Sequence, residues 1–126
     1  GGLREAAIRS LVYIGMAGEG VDERAFNVLR QIRAENHGLP LPEFKQLLRE
    51  QYFGLLLDPE AALAAIPAML PADSAARNKA LEAIQRTVSA AGEVTGERAK
   101  RLAQIEALFS AGEPKKTAGK GPLRVA

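Results

Sequence analysis

Ala91-Gly92-Glu93-Val94-Thr95-Gly96-Glu97-Arg98-Ala99 repeats an earlier phrase, Ala17-Gly18-Glu19-Gly20-Val21-Asp22-Glu23-Arg24-Ala25. Six of the nine positions are identical, the Ala-Gly-Glu opening and the Glu-Arg-Ala close. Each copy lies between two stretches whose apolar residues recur at helical spacing. The glycines end the first helix, and Asp22 or Thr95 offers a side-chain oxygen to cap the second. The phrase therefore reads as the corner of a helical hairpin, and two copies predict two related helix pairs.

The rest of the chain extends this pattern. Leu3 to Met16 places Ala7, Ile8, Leu11, Val12 and Ile14 along one stripe, which predicts a first helix. A second runs from Asp22 to about Asn36, with Phe26, Leu29 and Ile32 inward, and Asn36-His37-Gly38 closes it. Pro42 suits the first turn of a third helix. That helix carries Phe44, Leu47, Leu48, Tyr52, Leu55 and Leu56. Its last turn, Phe53 to Leu57, is apolar nearly all round, so it is expected at the centre of the bundle. Asp58-Pro59-Glu60 opens a fourth helix, which Pro67 should break or kink near Leu63.

Asp73 caps a fifth helix from Ser74 to about Ala90, with Ala80, Leu81, Ile84 and Val88 inward. A sixth starts at Thr95 or Gly96 and runs through Phe109, burying Ala99, Leu102, Ile105 and Phe109. No stretch has a period of two. The prediction is an all-α, single-domain bundle of about six helices, the first pair mirrored by the last. The bundle should span residues 1–112. Residues 113–126, rich in Gly, Lys and Pro, read as a flexible basic tail.

Composition narrows the function classes. The chain has 126 residues, enough for one domain with a core. Cysteine is absent, which excludes disulfides and thiolate metal sites and suits a bacterial cytoplasm. No apolar run approaches the ~18 residues of a membrane span. The opening Gly1-Gly2-Leu3-Arg4-Glu5 has no initiator Met and no secretory pattern, so it reads as a fragment or a processed start. The pI of 9.2 suggests nucleic acid. From Glu113 onward, however, four cations face one anion, leaving residues 1–112 at a net charge of −1. A bundle so close to neutral gives no footprint for phosphate binding, and no nucleic-acid partner is expected.

Few residues suggest chemistry. Glu19, Asp22 and Glu23 cluster in one corner, Glu93 and Glu97 in the other. Carboxylates in a glycine-rich turn can ligate Ca²⁺ or Mg²⁺, and two adjacent corners would bring five together. Helix capping accounts for the same residues without a cofactor: Asp22 or Thr95 at the cap, Glu23 and Glu97 in first turns. His37 is the one histidine and sits where a helix closes. Gly15 to Gly20 lacks the Gly-Lys-Ser/Thr ending of a phosphate loop, and no serine lies in a Gly-x-Ser-x-Gly elbow. No catalytic set emerges.

Two resemblances add to this. The corners, Ala17 to Ala25 and Ala91 to Ala99 with their helices, resemble the TerB-like tellurite-resistance fold. That resemblance implies an all-helical bundle with two such hairpins and a cation-binding role in stress response. The family's acidic corner carries Ala-Asp-Gly. Here Ala17-Gly18 and Ala91-Gly92 lack that Asp, so the implied metal ligands reduce to Glu19, Asp22, Glu23, Glu93 and Glu97. A second resemblance covers nearly all of residues 1–112. Gly2-Leu3-Arg4-Glu5-Ala6, Val21-Asp22-Glu23-Arg24, Phe44-Lys45 and Arg49-Glu50-Gln51-Tyr52-Phe53 look like the C-terminal region of bacterial poly(3-hydroxyalkanoate) synthetase-like proteins. Those proteins carry an α/β-hydrolase domain upstream. The resemblance implies a non-catalytic accessory domain whose partner is another protein or that upstream domain.

Overall fold

The structure, a computed structural model, describes residues 2–17 and 30–111. Six helices are complete among them: α1 (Gly2–Gly15), α2 (Leu41–Leu57), α3 (Pro59–Ala64), α4 (Ile66–Met69), α5 (Ser74–Ala91) and α6 (Gly96–Ala111). Residues 30–35 are also helical, and the described residues contain no strand. The all-α bundle expected from the apolar spacing is what forms.

The hub is α1. It packs against α2, α4, α5 and α6. Ala6, Ile8, Ser10, Leu11, Val12 and Ile14 are all buried, which is more than one stripe of the helix. The Ser10 hydroxyl resolves its own burial by donating to the Ala6 carbonyl one turn back, at 2.8 Å. Around α1 the core closes with Ile32, Ile66, Ile84, Val88, Ile105 and Phe109. Almost every large core side chain is aliphatic, as the shortage of aromatics requires.

Local chemistry sets the helix boundaries. Asp58 accepts a hydrogen bond from the Ala61 amide at 3.1 Å, with Pro59 in the first turn behind it. Asp73 does the same for Ala75 at 3.0 Å. The expected fourth helix is two short ones, α3 and α4, joined at Ala65. Pro67 lies in the first turn of α4, where its missing N–H costs nothing, and the break falls just before it. Gly92 ends α5 with φ 151° and Gly96 opens α6 with φ 58°. Both values are readily available only to glycine, so the second corner needs these two residues for its shape.

One expectation fails. The last turns of α2 are not central: Phe53, Leu56 and Leu57 are 51%, 52% and 85% exposed, and Tyr52 is exposed too. The buried stripe of α2 runs Phe44, Gln51, Leu55. Two half-buried leucines, Leu47 and Leu48, lie against the core. The core slot one turn before Leu55 is taken by a polar side chain, Gln51, and the apolar residues beside it face outward. The centre belongs to α1 instead. The first corner and residues 113–126 lie outside the described residues, as does the start of the second predicted helix.

Candidate functional site

The second corner is held from inside by arginine. Arg98 is buried, and its guanidinium donates to the Glu93 carbonyl at 2.8 Å and to the Val88 carbonyl at 3.1 Å. The last carbonyls of a helix have no partner within it, and a cation there also opposes the negative end of the helix dipole. Arg98 supplies both. Arg77 uses the same device before α5, donating from Nη1 to the carbonyls of Pro71 and Ala72 at 2.8 and 2.9 Å. It too is buried. In each case a guanidinium turns back onto carbonyls five to ten residues upstream and fixes a bend.

The carboxylates of this corner face solvent. Glu93 is exposed. Glu97 lies 3.1 Å from Arg101 one turn along α6. Arg101 also stacks over the Tyr13 ring, 4.4 Å from its centroid, and donates to the Tyr13 carbonyl at 2.7 Å. The Tyr13 hydroxyl donates to Gln104. This group of side chains fastens α6 onto the end of α1. Among the described residues no three His, Asp or Glu side chains stand together as metal ligands. Glu19, Asp22 and Glu23 lie outside the described residues. His37 packs Nδ1 3.1 Å from the Ala34 carbonyl, at the end of the helical residues 30–35.

A second polar cluster joins α1 to α2 and α3. Arg9 donates to Gln51 Oε1 at 2.7 Å, to the Ala62 carbonyl at 2.8 Å and to Glu5 at 3.2 Å. Gln51 in turn donates to Glu5 at 3.3 Å. Sequence reading missed this cluster, because Glu5 and Arg9 look like an exposed i, i+4 pair until Gln51 is brought beneath them. Arg49 and Glu50 make exposed contacts within α2 through Gln46.

Two further surfaces stand out among the described residues. A cleft of about 270 Å³ lies between α1 and α5, walled by Leu3, Ala7, Ile8, Ala80 and Ile84. Two of its polar groups bond within their own helical segments: Thr87 donates to the Ala83 carbonyl, and Asn36 to the Ile32 carbonyl, each at 2.8 Å. Glu35 faces Arg86 at 3.9 Å. The other surface is the exposed end of α2, where Tyr52, Phe53, Leu56 and Leu57 stand together. Tyr52 and Phe53 pack edge to face, 5.7 Å between centroids. No helix of the described residues is long and apolar enough to cross a membrane.

One relative is similar to nearly the whole chain. A Rhizobium meliloti protein, "Uncharacterized protein in ackA 5'region", is 47% identical over 112 residues. The alignment takes in 86% of this chain and 15% of that protein. The chain thus spans about one seventh of the length of the curated relative it matches. No family model matches the chain, and no solved structure does.

Proposed function

We propose that this chain is a non-catalytic helical interaction domain within a longer bacterial cytoplasmic protein, one of the poly(3-hydroxyalkanoate) synthetase-like kind. Its partner is the hydrolase-like part of the same polypeptide. The observation that carries the reading is the length relation: nearly all of this chain aligns with a small part of a much longer relative. The placement of polar side chains supports it. The buried arginines and the buried Ser10 and Thr87 bond to backbone carbonyls that shape bends and helices. Of these, Thr87 lines the α1–α5 cleft, and its hydroxyl is committed to the Ala83 carbonyl.

The test is direct. Purified residues 1–126, incubated with 3-hydroxyacyl thioesters and short-chain esters, are expected to release no thiol or alcohol. The complete reading frame is expected to contain an α/β-hydrolase domain on the N-terminal side. Turnover by the isolated chain, or a reading frame without that domain, would contradict the proposal.

A further inference from the structure

The end of α2 combines two features that nothing within the described fold explains. The first is the group of four exposed apolar side chains, Tyr52, Phe53, Leu56 and Leu57. The earlier turns of the same helix present Glu43, Lys45, Gln46, Arg49 and Glu50 to solvent, an ordinary polar face. In the last two turns that face becomes apolar while Leu55 stays buried in the core. A helix that is apolar on both sides is normally covered on both, and contiguous exposed apolar residues mark contact surfaces.

The second feature is Gly54, which sits exposed at the edge of this group, beside Leu57. Glycine is the poorest helix former after proline. Its backbone here does not take a positive φ. A Cβ built on it meets nothing within 4 Å. Among the described residues, neither conformation nor packing calls for glycine at that point. A second backbone passing close to α2 would call for it, because only glycine leaves room for such an approach.

The charges around the patch indicate what kind of surface comes there. Glu50, Asp58 and Glu60 border the patch along the chain, together with Arg49. That rim disfavours an anionic bilayer or a nucleic acid, and suits an apolar protein surface. The block of sequence that carries the patch makes up 15% of its relative. A surface tethered in the same polypeptide acts at high effective concentration.

We propose that the last two turns of α2 dock against an apolar surface elsewhere in the same longer polypeptide, whose backbone passes over Gly54 beside Leu57. This rests on the reading of the chain as a domain of a longer protein. Phe53 and Leu57 are the anchors, and Tyr52 holds Phe53 edge-on.

The absence of cysteine allows the surface to be probed site by site. Leu57→Cys and a control, Lys45→Cys, are introduced into residues 1–126 and into the complete polypeptide. Maleimide labelling is then followed at each site by peptide mass spectrometry. In the isolated chain both sites should react at similar rates. In the complete polypeptide the Leu57→Cys site should slow at least tenfold while the Lys45→Cys site keeps its rate. Adding Gly54→Leu should restore labelling at position 57 in the complete polypeptide. Circular dichroism of the isolated Gly54→Leu chain should be unchanged, since the added side chain meets open space. Equal rates at position 57 in both settings would overturn the proposal. So would protection of the isolated chain that grows with its concentration, which would indicate a second copy. Protection that requires added lipid vesicles would overturn it as well. Ester turnover by the isolated chain would remove the functional reading above without altering these rates.

Discussion

Arg98 lies with Nη1 2.8 Å from the carbonyl oxygen of Glu93, while its other terminal nitrogen reaches Val88 in the helix before. One side chain at the start of α6 thereby closes the end of α5. The corner is built on a buried cation meeting backbone oxygen, with its own acids left at the surface.

Truncating Arg98 should therefore cost more than a surface arginine would. Hydrogen bonds from a charged group contribute about 1.5–3 kcal/mol each, and losing them leaves carbonyls without a donor. Arg98→Met, which retains much of the stem's packing, is expected to lower stability by about 2–4 kcal/mol in urea unfolding. Arg98→Lys should recover only part of this, because an ammonium cannot present the same planar fork. A loss within about 0.5 kcal/mol for Arg98→Met, the range of ordinary surface changes, would show that the corner does not depend on it.

Arg101 and Tyr13 should be coupled. The guanidinium stacks on the ring and also bonds to the Tyr13 carbonyl. In a double-mutant cycle of Tyr13→Leu and Arg101→Met, the carbonyl bond is lost in both backgrounds that lack Arg101. The cycle therefore isolates the ring contact, with an expected coupling of about 0.5–1 kcal/mol. Strict additivity of the two losses would mean that the ring contributes nothing.

Divalent cations should leave the second corner unmoved. Glu97 is already paired with Arg101, and the bend is closed from within by Arg98. Melting curves of residues 1–126 with EDTA, Ca²⁺ and Mg²⁺ should therefore coincide. A rise in Tm with either metal, abolished by Glu93→Ala or Glu97→Ala, would assign those carboxylates to a cation.

Among the described residues the sequence foretold most helix starts, and the reason is local. Asp58-Pro59 and Asp73 announce helix starts through short-range hydrogen bonds that no tertiary packing has to arrange. Pro67 announces the break between α3 and α4 in the same way. The repeated Glu-Arg-Ala also pointed to a corner, though not to what Arg98 does inside it. Which side of each helix faces inward was legible only where the apolar stripe was narrow, as at Ile84 and Val88. On α2 the last turns are apolar on both sides, and spacing alone cannot rank two apolar faces. Gln51 decides the matter. Its hydrogen bonds to Arg9 and Glu5 turn that side toward α1, and this depends on residues more than 40 positions away.

Gly54 gives a prediction of opposite sign in two settings. In residues 1–126 alone, Gly54→Ala should stabilise by about 0.5–1 kcal/mol, because alanine is the better helix former and the site is open. In the complete polypeptide the same change should weaken docking of the domain, so limited proteolysis should release it more readily. Stabilisation in both settings would leave the glycine without a docking role.

The central claim is that the exposed end of α2 is covered in the complete protein. Hydrogen–deuterium exchange of the amides from Tyr52 to Leu57, compared between residues 1–126 alone and the complete polypeptide, tests it most directly. Exchange at least tenfold slower in the complete polypeptide, with the first turns of α2 unchanged, is the predicted result. Identical exchange in both would contradict it.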